Sequence, residues 1–185
     1  MALERDQVVE AAVGILDAWG LADLSMRRLA EALGVKAGAL YWHVANKQTL
    51  LALVADRILA EVGAPETTGG PAEQLERWAT RLRQVLLAHR DAAELVASAL
   101  ASGLCDEDPV RLPQQALLRH GAEPQDARRG GRALLHLVLG HVVEEQNAAT
   151  LHRLGLRPGL TEGDDEDFAF AVAALVDGLT RTVKE

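Results

Sequence analysis

The stretch LSMRRLAEALGVKAGALYWHVANK, residues 24–47, has the spacing of two short helices joined by a glycine turn. Ser25 is placed to cap the first helix, and residues 36–44 can form the second. Gly34 tolerates a positive φ at the turn, and Ala30 supplies a small side chain where the helices would cross closely. The pattern predicts a helix-turn-helix, although an ordinary helical hairpin has similar spacing.

The same stretch is locally basic in a chain of 185 residues with a net charge of -8. A helix that enters the major groove of DNA needs small or polar residues at its start and phosphate-binding groups near its end. Tyr41 and Lys47 suit phosphates, and Arg27 is long enough to reach a guanine edge. The residues that we predict to contact DNA are Arg27, Arg28, Lys36, Ala37, Gly38, Tyr41, His43 and Lys47.

Three consecutive rings, Tyr41, Trp42 and His43, stand out because aromatic residues make up only 3% of the chain. Tryptophan is usually buried, so we predict that Trp42 mainly packs the second helix against the first helix of the chain; a DNA contact is the alternative. His43 suits a phosphate contact and a cap at the helix end equally well. Asn46 is expected to cap a further helix whose positive N-terminus can bind phosphate.

Apolar residues recur with helical period along nearly the whole chain, and no alternating strand pattern is evident. The fold class is therefore predicted to be all-α, with a small N-terminal head and a larger helical body. The glycine- and proline-rich break at 63–71 places the domain boundary, giving domains 1–62 and 63–185. Further helices are expected at 5–19, 47–62, 75–86, 89–103, 124–150 and 168–183, with a mobile acidic loop at 157–168.

The composition excludes several classes of protein. Hydrophobic residues make up 49% and charged residues 25% of the chain, which is typical of a globular protein and not of a disordered one. The apolar stretch 133–143 is too short to cross a bilayer. One cysteine, Cys105, and the lack of a signal-peptide pattern predict a cytoplasmic protein with no membrane association.

The segment LSMRRLAEALGVKAGALYWHVANKQTLL, with its LYWHV.NK signature, resembles the DNA-binding domain of the tetracycline-repressor (TetR) family. This resemblance implies a three-helix head, a ligand-binding body and a homodimer that binds a double-stranded operator. The head departs from tetracycline repressors themselves, because Ala37 and Gly38 replace a glutamine and a proline, and Met26 replaces a threonine. We therefore expect a different operator, read through Arg27, apolar contacts and DNA shape.

The resemblance continues more weakly through LLAHRDAAEL and LLHLVLGHVVEEQ. It places His136 and Glu144 where tetracycline repressors hold the drug and its magnesium ion. Val96 and Trp78 replace a metal-binding histidine and a drug-binding asparagine, so we expect a small-molecule effector other than tetracycline-magnesium. The predicted pocket, between residues 75 and 150, consists of Trp78, Leu82, Leu86, Val96, His136, Leu139 and Glu144.

Two other functions stay open at this stage. His141 and Glu145 are spaced i, i+4, which suits two metal ligands, but no HExxH motif or nucleophile arrangement accompanies them, so we predict no catalytic site, no metal and no cofactor. A small-molecule-binding protein with a degenerate head would keep the pocket and bind no specific DNA. The function that the sequence favours is a ligand-responsive repressor, released from a palindromic operator by its effector.

Overall fold

A computed structural model describes residues 4–64, 68–156 and 164–182. Within these ranges the chain is helical and has no strand, as expected for an all-α protein. No helix there is long and apolar enough to cross a lipid bilayer. The α-helices are α1 (Arg5–Trp19), α2 (Met26–Leu33), α3 (Ala37–Leu40), α4 (Lys47–Leu59), α5 (Pro71–Ala88), α6 (Ala92–Ser102), α7 (Arg111–Arg119), α8 (Pro124–Arg153) and α9 (Asp164–Thr182). Two 3₁₀ turns lie at Leu21–Asp23 and Ala60–Val62.

The chain divides into two compact units. The head unit comprises Met1–Glu61 and Val85–Glu107, and the body unit comprises Val62–Gln84 and Asp108–Glu185. The division after residue 61 lies next to the predicted domain boundary, but the head unit also takes a later segment of the chain. The boundary at 62 stays a prediction, because a compact unit is defined by its contacts and a domain by independent folding.

The start of the head unit follows local sequence signals closely. α1 buries Val8, Ala12 and Leu16 on one face and ends at Gly20, where φ is 88°. The i, i+4, i+7 and i+11 spacing of Val8, Ala12, Ile15 and Trp19 predicts that Trp19 shares this buried face, and this prediction is wrong: the ring is exposed. It is the last residue of the helix, and the guanidinium of Arg28 lies over its ring, 5.1 Å from the centroid.

The helix-turn-helix forms as the sequence predicts. The Ser25 hydroxyl accepts a hydrogen bond from the N–H of Arg28 at 3.2 Å and caps α2, which ends at Gly34 with a φ of 65°. The Asn46 carboxamide caps α4 by accepting from the N–H of Thr49 at 2.9 Å. α3 is shorter than predicted, because residues 41–43 form a turn before the chain becomes extended at Asn46.

The later segment of the head unit forms hydrogen bonds to α4 and to the 3₁₀ turn after α1. α4 packs on α6, and the Asp56 carboxylate accepts the N–H groups of Asp106 and Glu107 at 3.1 and 2.9 Å. Asp91 accepts the N–H of Leu21 at 2.9 Å. The sequence did not indicate these bonds, since each joins residues at least 50 positions apart.

A charged cluster holds the same segment. The His89 imidazole lies 3.1 Å from the Asp17 carboxylate and 3.4 Å from that of Glu61, and Arg57 pairs with Glu61 at 2.7 Å. Burial opposes the ionisation of Glu61, but the hydrogen bonds from His89 and Arg57 outweigh it and lower the pKa of this carboxyl group.

A lowered carboxyl pKa in the folded state predicts an acid-dependent contribution to stability. Glu61→Gln should lower the free energy of unfolding at pH 7, because the ionised carboxylate favours the folded state above its unfolded pKa of about 4.3. The difference between wild type and variant should shrink as the pH falls through the lower, folded pKa. Urea unfolding between pH 7 and pH 3 measures it; a pH-independent difference would contradict the assignment.

The body unit packs α8 against α7 and α9. Two glycines in α8 permit this approach: a Cβ at Gly130 would lie 2.9 Å from a Leu179 methyl group, and one at Gly131 would lie 2.8 Å from a Val110 methyl group. α7 was not predicted, because two prolines and several polar residues resemble a loop. Pro113 lies in the first turn, where a helix tolerates proline.

The last helix begins earlier than expected. α9 starts at Asp164, so the acidic run up to Asp167 is helical and not a loop; residues 157–163 of the predicted loop lie outside the described residues, as does Val183. Its buried positions are Phe168, Val172 and Val176. The helical period that starts at Phe168 also predicts Leu175 and Leu179 on the buried face, but both are only half-buried.

An ion-pair cluster joins three helices of the body unit. The guanidinium of Arg83 in α5 donates two hydrogen bonds to the Glu145 carboxylate in α8, at 2.8 and 2.7 Å. It also pairs with Asp165 in α9 at 2.7 Å and lies over the Phe168 ring at 4.8 Å. Since the Arg83 and Glu145 side chains are only 14% and 13% exposed, this pair is largely shielded from water.

Candidate functional site

The helix-turn-helix presents a set of exposed residues, which we call the reading surface. It consists of Arg27, Lys36, Ala37, Gly38, Tyr41, Trp42 and Lys47, all of which are exposed. Four of these side chains carry a positive charge or a donor hydroxyl. The surface therefore suits an anionic, polar partner such as the DNA backbone.

Trp42 is part of this surface, so the prediction that it packs in the core is wrong. Its side chain is 89% exposed. Leu40 and Val44, four residues apart, are buried and take the inner side of this segment, and Trp42, midway between them, faces outward. Tyr41 is also exposed, whereas His43 is half-buried.

The two adjacent arginines of α2 differ in their surroundings. The Arg27 side chain is 90% exposed and lies 3.7 Å from Glu31, a weak pair in water. The Arg28 side chain is 39% exposed, pairs with Asp23 at 3.0 Å and covers Trp19. Both were predicted to contact DNA. The geometry makes Arg27 the more available of the two, and the role of Arg28 stays a prediction.

The start of α3 is small and open. Ala37 and Gly38 are exposed, and a Cβ added at Gly38 would meet no atom within 4 Å. Packing within the head therefore does not require glycine there. A low profile at this point lets the backbone of α3 approach a partner closely, which is what insertion into a groove requires.

A cavity of about 520 Å³ lies in the body unit, between α5, α7 and the segment 62–64. Trp78, Leu112, Pro113 and Ala116 form its apolar wall. Its polar lining includes Arg77, Arg81 and Arg119. The volume falls within the range of about 300 to 1,000 Å³ that is typical of small-molecule sites.

Of the seven residues predicted to form the pocket, Trp78 lines this cavity. Leu82 and Leu139 are buried within the body unit, and Leu86 and Val96 are buried within the head unit. His136 and Glu144 are exposed and are not part of the cavity lining. Their part in effector binding stays a prediction.

His141 and Glu145, whose i, i+4 spacing suits two metal ligands, have other partners in the structure. Glu145 is bonded to Arg83, and the His141 ring meets Phe168 edge-on at a centroid distance of 5.4 Å. Among the described residues, no group of three or more potential ligands is placed to hold a metal ion. Burial and the nearby Asp56 and Asp106 carboxylates raise the pKa of Cys105 to about 11, so its thiol is protonated and weakly nucleophilic at neutral pH.

Comparison with known proteins agrees with this geometry. Residues 8–54 match the model of bacterial regulatory proteins of the tetR family, and residues 64–162 match that of the tetracyclin repressor-like C-terminal domain. The chain is 31% identical to the class A tetracycline repressor from transposon 1721 in Escherichia coli, over 97% of this chain and 91% of that protein.

Solved structures agree as well. Mycobacterium smegmatis BioQ superimposes with a TM-score of 0.88 at 39% identity, covering 97% of this chain and 98% of that one. A structure of BioQ with its natural double-stranded DNA operator gives 0.82 at 40% identity, over 96% and 98% of the two chains. Streptomyces coelicolor ActR in complex with (S)-DNPA gives 0.80 at 31% identity, over 98% and 99%. Both family models and these similarities lead to one conclusion: the chain belongs to the TetR family of DNA-binding transcriptional regulators.

Proposed function

We propose that the protein is a homodimeric repressor that binds a palindromic operator through two reading surfaces and is released by a small molecule. The composition of the reading surface is the observation that supports the DNA-binding part of this proposal. Its residues are exposed and are basic, small or aromatic, in a chain that is otherwise acidic. On this proposal the protein acts in the cytoplasm and catalyses no reaction.

The dimer is proposed from one face of α9. Phe170 is 77% exposed, and Ala169, Ala173 and Ala174 beside it are exposed as well. A phenylalanine among small apolar residues on one helical face suits burial against a second copy of the chain. α8, which packs on α9, carries the exposed Ala133 and Gly140 and can extend this interface.

The effector is proposed to bind in the cavity between α5 and α7. Trp78 forms part of its wall, so a large apolar ring is present where tetracycline repressors have a drug-binding asparagine. A ligand can shift operator affinity only if the DNA-binding and released conformations bind it unequally. We therefore propose an effector other than tetracycline-magnesium that favours the released conformation.

Selection of bound DNA from a random pool tests the DNA-binding part of the proposal. The wild type should enrich a palindrome, because a two-fold dimer presents two equivalent reading surfaces. Arg27→Ala should relax the base preference at one position of each half-site, at a cost of about 1 to 3 kcal/mol against the preferred base. Lys47→Ala should weaken binding to all sequences alike and, because each dimer loses two such contacts, lower the salt dependence of log K by roughly two.

An uncharged neighbour of Lys47 offers the matched control. Gln48 is exposed on the same turn of α4, and Gln48→Ala changes no charge, so it should leave the salt dependence unaltered. A wild-type protein that enriches no sequence, even at low salt, would favour the alternative of a small-molecule-binding protein with a degenerate head.

A further inference from the structure

The lining of the effector cavity combines an apolar wall with an uneven set of charges. Arg77, Arg81 and Arg119 line it together with two glutamates, Glu73 and Glu76. Glu73 and Arg77 lie 3.9 Å apart and partly neutralise each other. Over the described residues of the lining, the three arginines exceed the two glutamates by one charge, in a protein that is acidic as a whole.

Arg119 is held in place by a buried amide. The Gln74 side chain, 8% exposed, is the sole buried polar side chain in the described ranges. Its carboxamide oxygen accepts a hydrogen bond from Arg119 Nη2 at 2.7 Å, and its nitrogen donates to the carbonyl of Gly69 at 2.9 Å. Burial of an amide is costly unless both ends are bonded, and here the two bonds fix the orientation that the amide offers to Arg119.

The position of Arg119 on α7 directs it to the same cavity as the apolar wall. Leu112, Ala116 and Arg119 are spaced i, i+4 and i+7 and share one face of the helix. A guanidinium has five N–H donors, and the bond to Gln74 engages one of them. The same helical face thus supplies both an apolar contact and a donor fork of the kind that binds carboxylates in a bidentate way.

We propose that the effector is an organic anion, with an apolar or aromatic body against Trp78, Pro113 and Ala116 and an oxyanion, such as a carboxylate, bound by Arg119. Gln74 acts as a positioning residue for Arg119. This inference rests on the proposed function, because it names the chemical class of the molecule that the same cavity would take. Arg81 adds long-range positive potential to the site.

A pair of matched fluorescent probes tests the proposal. 8-Anilino-1-naphthalenesulfonate carries one anionic group on an aromatic body, and N-phenyl-1-naphthylamine is the same ring system without it. The wild type should bind the anionic probe more tightly than the neutral one. Arg119→Met should raise the Kd of the anionic probe by about tenfold, the loss expected for a charge-assisted hydrogen bond, and that of the neutral probe by less than about twofold.

Gln74→Leu should selectively weaken binding of the anionic probe, but by less than Arg119→Met does. The substitution releases the Arg119 guanidinium from its hydrogen bond without removing it. Arg111→Met, an exposed arginine on the same helix outside the cavity, is the control and should change neither Kd. Thr80→Trp, at an exposed position of the lining, should abolish binding of both probes and so place them in the cavity. Circular dichroism of each variant establishes that it is folded.

Equal Kd values for the two probes, or an equal effect of Arg119→Met on both, would overturn the proposal. Operator binding by the same variants separates this outcome from failure of the proposed function. A protein that binds its operator but shows no preference for the anionic probe contradicts only the effector class. A protein that prefers the anionic probe but binds no specific DNA supports the proposed anion site and contradicts the proposed repressor function.

Discussion

Replacing Arg83 with methionine is expected to destabilise the protein by about 3 to 5 kcal/mol, because it leaves the carboxylate of Glu145 shielded from water without its partner. The two bonds at 2.8 and 2.7 Å would both be lost, as would the contact of the guanidinium with Phe168. Urea unfolding at pH 7 measures the change. Asp165 contributes less to this effect, since its side chain is 89% exposed.

Two controls identify the unpaired charge as the cause. Arg132→Met removes an exposed arginine from α8 and should change the free energy of unfolding by less than about 0.5 kcal/mol. Arg83→Met combined with Glu145→Leu removes both charges and should recover at least half of the lost stability, because a shielded ion pair is often replaceable by apolar residues. A double variant as unstable as the single one would contradict this explanation.

Replacing Phe170 with aspartate is expected to convert the dimer to a monomer. A buried aromatic residue at the centre of an interface contributes about 2 kcal/mol or more. Because the two-fold axis introduces each substitution twice, about 4 kcal/mol is lost and the dimer Kd should rise by roughly a thousandfold. Light scattering after size exclusion should then give a mass near 19.8 kDa in place of about twice that value. Operator affinity should fall with it, since a monomer reads one half-site.

The matched control introduces the same charge elsewhere. Leu104 is also a large, exposed apolar residue, but it lies in the head unit, and Leu104→Asp should leave the mass of the dimer unchanged. The far-ultraviolet circular dichroism of Phe170→Asp should match that of the wild type, because Phe170 is exposed in the single chain. A dimer that persists in this variant would exclude this face of α9 from the interface.

Local signals made the head predictable from the sequence. Ser25, Gly34 and Asn46 each act through bonds or backbone angles within a few residues, so the caps and the turn follow from residue type and spacing alone. The same holds for the ends of α1 and α6 at Gly20 and Gly103. The exposed positions of Arg27 and Lys47 also follow from the helical register.

Features that depend on distant parts of the chain could not be predicted in this way. Trp42 is a different case: the usual burial of tryptophan gave the wrong position, because the near neighbours Leu40 and Val44 occupy the inner side of the segment. The resemblance to tetracycline repressors places His136 at the effector site, which stays a prediction, and the cavity between α5 and α7 could not be foreseen because α7 was not predicted. Arg119 and Gln74 gave no sequence signal, because they are 45 residues apart.

The bonds that Asp56, Asp91 and His89 form within the head unit also bear on protein engineering. A chimaera that exchanges operator specificity by joining two regulators at residue 62 would separate these three residues from some of their partners. Such a chimaera would combine the N-terminal residues of one regulator with the segment 85–107 of another, whose contacts belong to a different head. A transplant that carries both pieces of the head unit preserves these bonds, so the transferable module is discontinuous in the chain.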